Sequence, residues 1–207
     1  MLKRTKGLLL LTLLVITGLA GTLKDSTISQ KERKSATNLM KETKADVLKS
    51  VKGLSDAQLN FKAAPDRWSV KECVYHIAIA EKNLWDMLEG AMKTAANPEK
   101  RPEIKLTDDQ LIKIMEDRRN KVKTVPPFEP QNTPYKSLNE ALNDFKDRRA
   151  SHIKYLKSTT EDLRSHVVQM PFGSIDCYQL SLMIASHSNR HTQQLNEVKA
   201  DPNFPKQ

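Results

Sequence analysis

Leu180-Ser181-Leu182-Met183-Ile184-Ala185-Ser186-His187-Ser188-Asn189-Arg190-His191-Thr192-Gln193-Gln194-Leu195 carries two histidines four residues apart. On an α-helix, side chains at i and i+4 lie one above the other on the same face. Leu180, Ile184, His187, His191, Leu195 and Val198 recur at steps of four and three. The stretch therefore reads as a helix that turns both imidazoles toward a core. Two histidines aimed inward make a metal site worth testing. Taken alone, the pair is a weak signal.

A third histidine far upstream obeys the same rule. Trp68-Ser69-Val70-Lys71-Glu72 opens a helix with Ser69 as N-cap and Glu72 three residues on, the spacing of a capping box. Cys73, His76, Ile77, Ala80, Leu84, Met87 and Leu88 form its inward stripe. Helices that share one core in a four-helix bundle can bring His76, His187 and His191 together. Three neutral imidazoles leave a metal with an open position, as in catalytic rather than closed structural sites. Imidazole suits zinc, nickel, copper or iron, so the residues do not choose the metal. The plainer reading is three core histidines satisfied by hydrogen bonds.

A ligating histidine donates its other N–H to an outer partner. The candidates are Glu72, Asn83, Glu81, Gln194 and Asn189. Arg190 points about 100° away from His191 on a helix of 3.6 residues per turn, toward a neighbouring helix or solvent. His152 and His166 have no partner pattern and read as ordinary surface or loop residues.

The remaining chain is helical by the same criterion. A first helix runs from about Lys31 to Lys52, with Leu39, Val47, Leu48 and Val51 apolar, and Gly53 stops it. Leu54 to Leu59 reads as a short helical turn, and Phe61 to Arg67 as a loop. Asn97 to Pro134 is a long proline-punctuated connection enclosing one helix, about Asp108 to Lys123. Antiparallel neighbours need no link of this length, so it can cross the bundle and leave its flanking helices parallel. A third main helix runs from about Leu138 to Asp162, with Arg148 and Arg149 placed at its surface. Ser165 to Ser174 reads as a partly extended loop turning at Gly173, and Asp176 or Ser174 caps the last helix, which runs to about Lys199. The expected fold class is all-α: a four-helix bundle over 31–199 with an extra helix in the long connection, and an irregular tail over 200–207.

The 207 residues suit one domain or a little more. Met1 to Lys6 is basic, Gly7 to Leu19 is apolar and uncharged, and Gly18-Leu19-Ala20 offers small residues before a cleavage point. This is the layout of a secretory signal peptide over 1–20, followed by a polar tether over 21–30. The rival is an uncleaved anchor, but the run is short for a span that needs about 20 residues. The expected address is periplasmic or secreted, with no membrane span after cleavage. Removing Lys3, Arg4 and Lys6 takes the formal charge from +9 to +6. The remaining cations are interleaved with acids, and aromatic content is 5%, which argues against a nucleic-acid partner. Cys73 lies one turn from His76, whereas Cys177 lies nearly three turns from His187. If the histidines meet, the cysteines are too far apart for the α-carbon separation of under about 7 Å that a disulfide requires. Two free, buried thiols are expected. The sequence holds no H-E-x-x-H, no glycine-rich phosphate loop and no G-x-S-x-G.

Pro65-Asp66-Arg67-Trp68-Ser69-Val70-Lys71-Glu72-Cys73-Val74-Tyr75-His76 and His187-Ser188-Asn189-Arg190-His191-Thr192-Gln193-Gln194 resemble two motifs of the DinB/YfiT-like superfamily, W-S-x-x-E-x-x-x-H and H-x-x-R-H-x-x-Q. The likeness spans about Lys31 to Val198. It implies an up-down-down-up bundle, one divalent metal per chain, most often nickel or zinc, held by His76, His187 and His191, and in some members a homodimer. It also implies one of two chemistries on a small-molecule substrate: metal-dependent hydrolysis through bound water, or transfer to a low-molecular-weight thiol. Such thiols are cytosolic, so the export signal favours the hydrolase. A non-enzymatic metal-binding or stress-associated protein is the third alternative.

Overall fold

A computed structural model of the protein describes residues 28–206. The signal peptide expected over 1–20, and the tether up to residue 27, lie outside the described residues. The chain forms α1 (Gln30–Val51), α2 (Asp56–Asn60), α3 (Val70–Met92), α4 (Asp108–Glu116), α5 (Leu138–Ser158), β1 (Val167–Met170), β2 (Gly173–Asp176) and α6 (Cys177–Lys199). Short 3-10 turns punctuate the connections on either side of α4.

The helix starts follow from capping chemistry. Ser29, Ser55, Ser69, Thr107 and Asp176 each accept the N3 backbone N–H, and the N3 Glu or Gln side chain returns the bond. Gly53 follows α1 with φ +76°, a conformation that costs glycine little. α4 is shorter than its composition suggests and ends at Glu116 rather than Lys123. The reason is tertiary: Arg190 takes the carbonyls of Asp117 and Asn120, while the Asp117 carboxylate gathers the N–H and guanidinium of Arg119. α5 likewise stops at Ser158, before Thr159 and Asp162. Ile28 was expected in a polar tether, yet it is 3% exposed and belongs to the core. The Ser165 to Ser174 loop is a small antiparallel hairpin, with Val167 opposite Asp176 and Met170 opposite Gly173.

Hydrogen bonds between helices give the topology. Arg33 near the start of α1 reaches the carbonyls of Leu156 and Thr159 at the end of α5, so these helices are antiparallel. Tyr178 at the start of α6 donates to Glu32 O, and Lys199 at its end donates to Ser50 O, so α1 and α6 are parallel. His76 in α3 meets His191 in α6, whereas Trp85 stacks on His152 of α5. α3 therefore runs against α6 and alongside α5, and the order is up-down-down-up. α4 lies against α6, where Gln193 donates to Glu116 O.

The core has two apolar halves. One contains Met40, Leu84, Leu88, Leu111, Leu156 and Leu182. The other contains Val47, Val74, Ile77, Phe145, Leu195 and Val198. Between them each main helix contributes polar side chains at one level. Arg149, placed at the surface by its residue type, is 0% exposed. Its Nε and Nη2 form a bidentate pair with Glu81 at 2.7 and 2.6 Å. Nη1 donates to Met40 O and Thr43 Oγ1, and Nη2 also donates to Ser188 Oγ. All five guanidinium N–H groups thus have acceptors. His152, also expected at the surface, is 3% exposed and donates Nδ1–H to Glu81 at 2.7 Å. Burial by itself would raise the Glu81 pKa, but Arg149 and His152 hold it below the usual carboxylate value. His166 is a half-buried loop residue, as expected, with Nδ1 on the carbonyl of Ala91. Met87, expected on the inward stripe of α3, is 39% exposed.

Removing one member of such a pair strands the other charge in the core. Arg149→Met is expected to lower the unfolding free energy by about 3–5 kcal/mol in urea titrations. Adding Glu81→Gln should recover a large part of that loss.

Candidate metal centre

Ser69 starts α3 with the capping box, and His76 then falls two turns in, inside the bundle at 3% exposure. Asp176 caps α6, which delivers His187 and His191 one turn apart, against that face of α3. The three imidazoles meet. His76 Nε2 lies 3.2 Å from His187 Nε2 and 3.0 Å from His191 Nε2. Their nitrogens form the three-residue cluster able to hold a metal ion among the described residues, all within 4.8 Å of one another.

Second hydrogen bonds decide which nitrogen each ring offers. His76 Nδ1 is 2.6 Å from the carbonyl of Phe128, which can only accept, so Nδ1 carries the proton. His191 Nδ1 is 2.9 Å from Gln194 Oε1 and is assigned as donor in the same way. Both rings therefore turn Nε2 lone pairs toward the centre. Facing lone pairs at 3.0 Å repel unless a proton or cation lies between them. Nitrogens each about 2.0–2.1 Å from one ion stand about 2.9–3.4 Å apart when the angles are near 90–110°. The observed separations fall in that range, so the donor set suggests a divalent metal ion.

Burial also keeps the rings neutral and ready to ligate. It pushes His76 down to about 4, with the bond to Phe128 acting weakly the other way. His187 and His191 are driven well below 6.5 by burial first, then by the neighbouring histidines and arginines. Trp68 stacks on His191 at 5.8 Å and tilts over His76 at 4.8 Å, closing one side. His187 remains partly accessible.

Of the outer partners proposed from sequence, only Gln194 serves a site histidine. Glu72 caps α3 and pairs with Lys62. Glu81 serves Arg149 and His152, Asn83 donates to Pro127 O, and Asn189 accepts from Gln193. The partner missed was the backbone carbonyl of Phe128, which no residue type could signal. Arg190 turns away from the rings to hold the connection after α4, as its position on the helix required. Arg118 from that connection reaches Gln194 Oε1 at 3.5 Å and pairs with Glu197 at 2.8 Å. Cys73 and Cys177 are free and buried, and burial raises both thiols to about 12.

Comparison with known proteins agrees with this fold. A sequence model of the DinB superfamily matches residues 39–195, and the chain belongs to that superfamily. The protein YuaE of Bacillus subtilis strain 168, described as uncharacterized, is 25% identical over 164 residues, 78% of this chain and 96% of its own. The solved structure of YfiT from Bacillus subtilis covers 84% of this chain and 89% of its own, with a TM-score of 0.57 and 15% identity. YfiT is described as a probable metal-dependent hydrolase with an unusual four-helix bundle topology.

Two outcomes check this site. Gln194→Ala, which removes the acceptor for His191 Nδ1, should weaken metal affinity by about 10–100-fold in chelator competition. Metal-free protein should also lose stability as pH falls from 7 to 5. The unfolded imidazoles gain protons through their ordinary value of 6.5, whereas the folded rings resist, His76 until about 4. The unfolded state then binds more protons, and stability declines toward lower pH. The urea midpoint should fall across that window, and less steeply in His187→Leu.

Proposed function

We propose that the protein is an exported metal-dependent hydrolase whose ligands are His76, His187 and His191, with zinc or nickel as the metal. The observation that carries the reading is the convergence of three Nε2 atoms beside a partly accessible His187. A bound divalent ion at such a site supplies Lewis acidity, lowering the pKa of its water and polarising a substrate oxygen. The chain's own residues prepare that chemistry. Phe128 O and Gln194 hold the two tautomers, and Trp68 fixes the ring planes and keeps water from one side. Gln193 fastens the end of α4, and Arg190 and Arg118 fasten the connection after it beside α6, where it forms a wall for substrate. The raised pKa of Cys73 argues against a thiolate nucleophile. Export rests on the basic and apolar segments at residues 1–20.

The test is hydrolysis of a panel of small activated esters. Chelator-treated protein should be inactive, zinc or nickel should restore turnover at about one ion per chain, and His187→Ala should return it to background. Turnover that survives both chelation and His187→Ala would refute the proposal. N-terminal sequencing of the native protein should begin at Gly21, and a sequence beginning at Met1 would refute cleavage.

A further inference from the structure

A second concavity lies away from the three histidines, between α3 and α5. Trp85 is nine residues beyond His76, about 13 Å along the helix axis at 1.5 Å per residue. The cleft has a volume of about 350 Å³ and is walled by Trp85, Leu88, Met92, Ser151, His152 and Tyr155. Small-molecule pockets span about 300–1,000 Å³, so this one suits a single ring.

Its polar groups are nearly all engaged. Trp85 Nε1 donates to Glu89 at 3.0 Å, and Tyr155 Oη donates to Glu161 at 2.6 Å. The exceptions are the Lys93 ammonium, which has no partner among the described residues, and one nitrogen of His152. Its Nδ1–H is committed to Glu81, and its ring is stacked on Trp85 at 3.6 Å and 10°. Its Nε2 has no protein partner among the described residues, yet no buried side-chain nitrogen or oxygen there is left without one. Nε2 therefore keeps some accessible surface, and His152 lines the cleft. A residue only 3% exposed thus carries one nitrogen without a protein partner among the described residues, beside a mostly apolar hollow. An imidazole that donates at Nδ1 and carries no second proton accepts at Nε2.

We infer that this cleft is a second ligand site, for a small monohydroxylated aromatic compound of the phenol class. The hydroxyl donates to His152 Nε2, and the ring lies against Trp85, Leu88, Met92 and Tyr155. Tyr155 already meets Trp85 edge-on at 5.5 Å, which leaves aromatic surface suited to a further ring. Glu89 and Glu161 border the cleft and repel an aryl carboxylate, with Lys93 the one cation lining it among the described residues. The inference is independent of metal binding and of the hydrolase proposal, since neither uses His152.

The test is NMR on the full-length protein with ring-¹⁵N histidine, using p-cresol as the probe. The expected result is a saturable shift of the His152 Nε2 resonance on titration. Binding should weaken at least tenfold with p-methylanisole, which lacks the donor. Ser151→Trp, which fills the mouth from an exposed position, should weaken it at least tenfold and leave metal content unchanged. His152→Phe should also weaken binding at least tenfold while keeping the stack on Trp85, and Ser151→Trp decides the matter if that variant does not fold. No saturable shift up to the solubility of p-cresol would overturn the site. So would a shift undiminished in Ser151→Trp. Binding of p-methylanisole or p-toluate as tight as that of p-cresol would overturn the assignment of Nε2 as acceptor for a hydroxyl.

Discussion

Arg149 is the residue on which the bundle turns. Its guanidinium is fully buried and spends all five N–H groups on α1, α3 and α6 while itself belonging to α5. A charge in that position is tolerated only while every partner stays in place, because desolvation of an unpaired guanidinium costs several kcal/mol. Apolar contacts tolerate sliding, whereas a bidentate pair with three further acceptors does not. The polar layer therefore selects one register of the four main helices among the many that a leucine-rich core would accept.

That register brings the three histidines together. Ser188, which accepts from Arg149, sits between His187 and His191 on α6, and Glu81 sits five residues beyond His76 on α3. Anchoring Ser188 and Glu81 on one guanidinium sets the level at which α3 and α6 meet. The histidines then come together at 3.0–3.2 Å. A shift of one turn would move a ring about 5.4 Å and break the cluster. The long connection completes the centre from outside the four helices. Its Phe128 carbonyl orients His76, while Arg190 and Gln193 of α6 hold its earlier part.

Much of this was legible because period and capping are local. The Ser69 and Asp176 starts, the Gly53 stop and the inward stripes of α3 and α6 each need only a few neighbouring residues. His76, His187 and His191 were legible for the same reason. Arg149 and His152 were misplaced at the surface because residue type was weighed above period. Ala141, Phe145, Arg149, His152 and Leu156 follow one another at steps of four, four, three and four, and all five are buried. The pattern held the information, and charge obscured it. Glu81, its complement, lies on the equivalent stripe of α3 between Ile77 and Leu84.

By itself the sequence determined the helices, their caps, the two histidine-bearing faces and the superfamily to which the chain belongs. These follow from backbone hydrogen bonding and side-chain period, which act over a turn or two. Only the tertiary structure decided that Arg149 and His152 are core groups and that α4 ends at Glu116. It alone decided that Phe128 O and Gln194 set the tautomers of His76 and His191. Each of those outcomes depends on a partner between three and more than a hundred residues away, and on a low-polarity interior that exists only after the helices have packed.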